Sequence, residues 1–209
     1  MSVGVTSLVL ATANPDKAAE MAAILEPAGV SLVPRPPWVP PVEETGSTLE
    51  ENALLKARAL VAATGSPSVA DDTGLEVVAL DGAPGVQSAR FAGEDATYED
   101  NVALLLSRLE GVPDRRARFR TVAVAAFPDG SAVVAEGMVE GAIGTTRQGS
   151  GGFGYDPVFV PTGGGGRSFA EMTPAEKNAR SHRARAFSSL VALLKARNEE
   201  PDRRQAERP

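Results

Sequence analysis

The chain has 209 residues, 43% of them hydrophobic and 23% charged, with a formal net charge of −6 and no cysteine. That length suits one α/β domain with a sizeable core, and no apolar run approaches the roughly 20 residues needed to span a bilayer. Without cysteine there is neither a disulfide framework nor a thiolate metal site, and the acidic balance argues against broad nucleic-acid binding, though not against a phosphorylated ligand held by a few converging lysines and a cation.

In chain order, Ser7 to Thr12 is a short apolar run of strand type, followed by the turn-like Ala13-Asn14-Pro15-Asp16. From Lys17 to about Pro27, Ala18, Met21, Ala22 and Leu25 recur at helical spacing. Val33 to Pro41 is dense in proline and is expected to be an exposed loop. Thr48 opens a second helix to about Ala63, with a capping box to Glu51. Ser68 to Ala70 reads as a buried strand that ends directly in Asp71-Asp72-Thr73-Gly74, with a short strand at Glu76 to Leu80 before the turn at Gly82 to Gly85.

A helix is expected from Tyr98 to Leu109, with apolar residues at 102, 105, 106 and 109. Arg118 to Phe127 and Ala132 to Glu140 flank Pro128-Asp129-Gly130 as a hairpin. Gly149 to Pro161 is a glycine-rich turn entering a strand at Val158 to Val160, and the four glycines at 163–166 suggest mobility. Thr173-Pro174-Ala175-Glu176 starts a helix that should reach about Ala196, leaving the charged residues 197–209 as a disordered tail behind a single domain of residues 1–196. The opening residues lack the basic stretch and cleavage site of a signal peptide, so a cytoplasmic protein is expected.

Five segments carry chemistry-bearing residues. Thr12 to Lys17 joins a strand to a helix, where free N–H groups and a lysine can hold an anion, or where asparagine and proline simply make a turn. Asp71 and Asp72 are adjacent acids whose repulsion a cation or a proton would relieve; the bland alternative is an Asp-Gly turn. Ahead of the second helix, Glu43-Glu44 either joins a metal site or serves the helix dipole; within it, Asn52 and Lys56 share a face at i and i+4, while Leu54, Leu55 and Ala59 are read as the buried stripe. The turn at Gly151 to Pro157 allows close ligand approach and offers Phe153 as a stacking ring, or it buries that ring. Lys177 and Ser181-His182-Arg183 are a distal basic group or one wet helix face, and a lone histidine is more often structural than catalytic.

These blocks together resemble the inosine/xanthosine triphosphate pyrophosphatases, over Leu8 to about Leu190. The most specific blocks are Ala70 to Gly74 with Gly82 to Gly93, Gly151 to Pro157, and Lys177 to Arg183. The resemblance implies a long mixed β-sheet flanked by helices, with two lobes around a central nucleotide cleft, in a homodimer. It implies Mg²⁺-dependent hydrolysis of ITP, dITP and XTP to the monophosphate and pyrophosphate. By the same resemblance Thr12, Asn14, Lys17 and Lys56 contact the phosphates, and Asp72 is metal ligand and proton acceptor with Glu43 as second metal carboxylate. Thr73 is a nucleotide contact, and Phe153, Gly154, Tyr155, Asp156, Lys177, His182 and Arg183 surround the base and sugar. Two residues depart from the pattern: Ala13 stands where a glycine is usual, so an ordinary backbone conformation is expected there, and Thr73 replaces a serine but keeps its hydroxyl. A pyrophosphatase of modified pyrimidine nucleotides, a non-turning nucleotide sensor and an interaction protein are the rivals.

Overall fold

The computed structural model describes residues 7–206, with side chains to Glu199. The order is β1 (Ser7–Leu10), α1 (Pro15–Leu25), β2 (Ser31–Val33), α2 (Leu49–Thr64), β3 (Ser68–Val77), β4 (Pro84–Gly85), α3 (Tyr98–Arg108), β5 (Arg116–Ala126), β6 (Ala132–Ile143), β7 (Phe159–Pro161), α4 (Pro174–Asn178) and α5 (His182–Ala206). The strands make one mixed seven-stranded sheet of order β2-β1-β3-β5-β6-β7, with β4 on β3. No helix among the described residues is long and apolar enough to cross a membrane.

The chain divides into two compact units. The first takes the segments up to Asp72, Val122–Gly137 and from Arg183 onward. There β1 pairs in parallel with both β2 and β3, in the registers Ser7↔Ser31 and Val9↔Ser68. A strand flanked on both sides by its successors is a point where the winding of the sheet reverses, the place in open α/β sheets where ligands gather. The core joins Leu8 and Leu10 of β1, Met21 and Leu25 of α1, Val69 of β3, and Ala186, Phe187, Leu190, Val191 and Leu194 of α5, a stripe at helical spacing.

The second unit comprises Thr73–Thr121 and Met138–His182. Val102, Leu105 and Leu109 of the α3 segment pack with Leu75, Phe119, Ile143, Phe159 and Phe169, so the apolar spacing read in α3 is the spacing that is buried. Thr97 and Asp100 close a capping box at its start.

Several elements differ from the sequence reading. The strand expected at residues 68–70 runs uninterrupted to Val77, because residues beyond Ala70 find a partner: Leu75 and Glu76 pair antiparallel with Gly85 and Pro84. Asp71 and Asp72 therefore lie in mid-strand, neither at a strand end nor in a turn. Residues 78–80, expected to extend a strand, form a turn of 3-10 helix. Ser31–Val33 makes the edge strand β2, so of the stretch expected to be a loop only Val33 lies in a strand.

On α2 the buried residues are Leu49, Asn52, Ala53, Lys56, Ala57 and Leu60, whereas Leu55 is 39% exposed. The expected stripe through Leu55 is thus rotated away. The helix begun at Thr173 breaks after Asn178, where Arg180 and Ser181 both donate their N–H to the Lys177 carbonyl, and it resumes at His182. It continues to Ala206 instead of stopping near Ala196; the Arg197 guanidinium lies 4.0 Å from the Phe127 ring centre and 3.0 Å from Asp129, an anchor the sequence did not advertise. Residues 207–209 of the expected tail lie outside the described residues.

Candidate functional site

In the first unit, β1 delivers the chain at Ala11, whose N–H donates to the Val69 carbonyl of β3. Asn14 then caps α1: its side-chain oxygen accepts from the N–H of Asp16 at 2.9 Å and of Lys17 at 3.2 Å, with Pro15 at the first helical position. Thr12 Oγ1 accepts from the Asn14 N–H at 3.1 Å. The asparagine and proline thus do build the turn, and the cap occupies N–H groups that a simple helix-end anion site would offer. What the loop presents is the side chain of Lys17. Asp81 is the only described non-glycine residue with positive φ, so Ala13 takes the ordinary backbone expected of it.

Adjacent residues on a strand point to opposite faces, and this divides the acid pair. Asp71 meets Arg183 of α5 at 3.0 Å and Lys17 of α1 at 3.8 Å. Asp72 meets α2: its Oδ1 lies 2.8 Å from Lys56 Nζ, and Asn52 Nδ2 lies 3.5 Å from its Oδ2. The i and i+4 spacing of Asn52 and Lys56 is what brings both to one carboxylate.

The two acids differ in chemistry as well as direction. Burial works to raise the pKa of Asp71, but Lys17 and Arg183 outweigh it and hold that carboxyl well below the usual range. Burial of Asp72 prevails over the pull of Lys56 and Lys17, so its carboxyl is pushed up. Burial lowers the pKa of Lys17, whereas the carboxylates of Asp72, Glu44 and Asp71 overcome burial at Lys56 and raise it. One acid is a fixed counter-ion; the other is the stronger base.

The Lys56 ammonium also lies 2.8 Å from Glu44 Oε1. Two carboxylates on one ammonium are suited to an open hard-cation site, since Mg²⁺ is usually held by one or two carboxylates with phosphates completing its shell. No group of three or more His, Cys, Asp or Glu suited to a metal occurs among the described residues. Glu44 is the carboxylate that reaches Lys56; Glu43, assigned to the metal by the resemblance, is exposed. Arg183, assigned by resemblance to the base, has its guanidinium on Asp71 and on Glu20 of α1, the latter at 2.5 Å, and is 2% exposed.

In the second unit, the Thr73 and Thr121 hydroxyls lie 2.7 Å apart, and Gly74 leaves room for Gly85, whose carbonyl oxygen would stand 2.7 Å from any added Cβ. The turn beginning at Gly151 is organised by Asp156, which accepts from the Phe153 N–H at 2.8 Å and from buried Lys177. Lys177 Nζ stands 4.7 Å from the centre of the half-buried Phe153 ring. Gly152 has φ +68°, and a Cβ there would fall 2.1 Å from Asp156 Oδ2, so glycine is demanded twice over. Tyr155 is buried and its hydroxyl donates to the Ser88 carbonyl at 2.9 Å; burial raises its pKa. Gly154 is half-buried in the same turn. His182 stacks on Phe119 with ring centres 4.4 Å apart.

Glu20 and Thr121 are partners that sequence reasoning missed, while Glu44 entered it only as half of the pair Glu43-Glu44. Glu20 carried one local signal, standing three residues after Lys17 on the same helix face. Thr121 carried none, since its partner is distant in sequence.

A sequence model of the Ham1 family matches residues 8–193. A protein of Streptomyces coelicolor named dITP/XTP pyrophosphatase is 48% identical over 196 residues, covering 91% of this chain and 98% of its own. One of Mycolicibacterium paratuberculosis with the same name is 49% identical, covering 90% and 95%. The structure of a HAM1 protein from Coxiella burnetii superposes with a TM-score of 0.82 at 40% identity, over 91% of this chain and 98% of that one.

Proposed function

The chain belongs to the Ham1 family, and from that premise we propose that it hydrolyses purine nucleoside triphosphates carrying abnormal bases, ITP, dITP and XTP, to the monophosphate and pyrophosphate with Mg²⁺. The observation that carries the reading is the buried Asp72 carboxylate, raised in pKa and set against Lys56 and Glu44. The name dITP/XTP pyrophosphatase borne by close relatives supports the substrate class.

Water attacks the α-phosphorus, the bond from that phosphorus to the α,β-bridging oxygen breaks, and pyrophosphate leaves. Asp72 orients the water and accepts its proton; the upward shift from burial makes it a better base than an ordinary aspartate. Asp71 stays ionised and holds Lys17 and Arg183 in position. Lys17 and Lys56 act as point charges on phosphate oxygens, with Thr12 and Asn14 shaping the loop beside them. Mg²⁺, held by Asp72 and by Glu44 rather than Glu43, would neutralise charge developing on the leaving pyrophosphate.

In the second unit, Phe153 stacks on the base, Asp156 and Lys177 fix that ring and its polar surroundings, and Thr73 offers a hydroxyl to the nucleotide. His182 supplies a donor for the 6-oxo group of the base. A buried donor left unpaired by the adenine amino group rejects ATP by several kcal/mol. A homodimeric state and a cytoplasmic address belong to the same reading through the family resemblance, and light scattering tests the first.

The test is pyrophosphate release from ITP, dITP, XTP, GTP and ATP, with Mg²⁺ and with a chelator. Strong Mg²⁺-dependent release from the first three, with little from GTP and ATP, is the expected result. Release from modified pyrimidine triphosphates instead, or binding of dITP without turnover, overturns it in favour of a different pyrophosphatase or a sensor.

A further inference from the structure

The segment between β2 and α2 carries Pro34, Pro36, Pro37, Pro40 and Pro41, whose fixed φ angles leave it few conformations. Arg35 ties this loop down. Its Nη2 donates to the carbonyls of Val39 at 3.0 Å and Pro40 at 2.6 Å, and its Nη1 reaches the Ala11 carbonyl, at the exit of β1, at 3.5 Å. Beside it opens a cavity of about 440 Å³, lined among others by Thr12, Ala13, Arg35, Pro36, Val39 and Pro41. The same cavity wall thus contains an arginine and the start of the loop assigned to phosphate.

Among the described residues, the partners of Arg35 are these three carbonyls and no carboxylate. Carbonyl oxygens orient a guanidinium without cancelling its charge, and the fork retains further donors. Because one edge is already held, little side-chain freedom is lost when the remaining donors engage a ligand. In a chain of net charge −6, an arginine without a counter-ion at a cavity is a local reversal of sign that attracts an anion.

We propose that Arg35 and this cavity form an anion subsite for the terminal phosphate of the nucleoside triphosphate and, after cleavage, for one end of the pyrophosphate product. This rests on the hydrolase reading above. It adds to the phosphate loop proposed above a contact from the proline-rich loop, and it makes Arg35 a determinant of triphosphate over monophosphate binding.

Binding of inorganic pyrophosphate to the full chain, measured by equilibrium dialysis without divalent cations, tests the subsite apart from activity. Arg35→Gln removes the charge and should weaken pyrophosphate binding about tenfold, the scale of a charge-assisted contact. Arg35→Lys keeps the charge but loses the fork, and should weaken pyrophosphate binding less than Arg35→Gln does. The KM for dITP should follow the same order.

Pyrophosphate binding that is absent from the unmodified chain, or unchanged in Arg35→Gln, overturns the subsite. So does an equal loss in Arg35→Lys and Arg35→Gln, which would make Arg35 a loop clamp only. If pyrophosphate binding depends on the charge at Arg35 but no triphosphate is hydrolysed, the subsite stands and the hydrolase reading falls. Hydrolysis with pyrophosphate binding indifferent to Arg35 gives the reverse.

Discussion

Asp71 and Asp72, neighbours on β3, are turned to opposite partners: the first carboxylate lies 3.0 Å from Arg183 Nη2 and the second 2.8 Å from Lys56 Nζ. The alternation of a strand therefore separates two acids that a turn would have left side by side, and it gives them different work. Replacing each in turn should produce different failures.

Asp72→Asn keeps the shape of the side chain and its contact with Asn52 but removes the proton acceptor. Turnover of dITP should fall by about 10²- to 10⁴-fold, the usual contribution of a positioned general base, while dITP still binds. Pyrophosphate release and equilibrium dialysis measure the two quantities. Undiminished turnover would remove Asp72 from its assigned place as base or ligand.

Asp71→Asn should instead damage stability. It leaves Arg183 buried with one carboxylate fewer, and breaking such a pair from one side costs about 3–5 kcal/mol, read by urea unfolding. The pH sign follows from the depressed pKa of Asp71. Its contribution is fully present above the unfolded value of 3.8 and is lost as pH falls towards its lower folded value. Asp72, raised in pKa, carries the opposite sign: its share is present below 3.8 and is lost as pH rises through its folded value. Thermal unfolding below pH about 4 should therefore be less pH-sensitive in Asp71→Asn than in the unmodified chain; equal slopes would refute the assignment.

Gly152→Ala forces a Cβ against the Asp156 carboxylate in a backbone conformation with φ +68°. The expected cost is about 1–3 kcal/mol of stability from the strained residue. Displacement of Asp156 should also free Lys177 and the Phe153 N–H from their acceptor, so the KM for dITP should rise. Gly154→Ala has φ +61° but nothing within 4 Å of the added Cβ, and should cost less.

On α2, Leu60→Ala should cost about 2–5 kcal/mol, as for other fully buried leucines, and Leu55→Ala should stay within about 0.5 kcal/mol. Urea midpoints of the two variants measure the rotation of this helix directly. Equal losses would put Leu55 back in the buried stripe.

Several residues of the candidate site are legible in the sequence. Lys17, Asp72, Lys56, Phe153 and Lys177 were singled out, and the shared face of Asn52 and Lys56 followed from spacing alone. What spacing left undecided was which face of α2 is inside. Counting apolar residues favoured Leu54, Leu55 and Ala59; the structure buries Lys56 and Asn52 because Asp72 and Glu44 supply the charge and hydrogen bonds that make burial tolerable. Composition cannot register a compensation that comes from another element.

By itself the sequence determined the features whose partners lie within a few residues: the Asn14 cap, the capping boxes at Thr48–Glu51 and Thr173–Glu176, the hairpin turn before Ser131 and the apolar spacing of α3. Only the tertiary structure decided that β3 runs through both aspartates, that Arg183 closes on Asp71 and Glu20, that Glu44 rather than Glu43 reaches Lys56, and that Thr121 meets Thr73. Short-range hydrogen bonds are specified by residue type at a fixed offset. Strand continuity and buried ion pairs depend on partners far away in the chain, and those exist only once the sheet has formed.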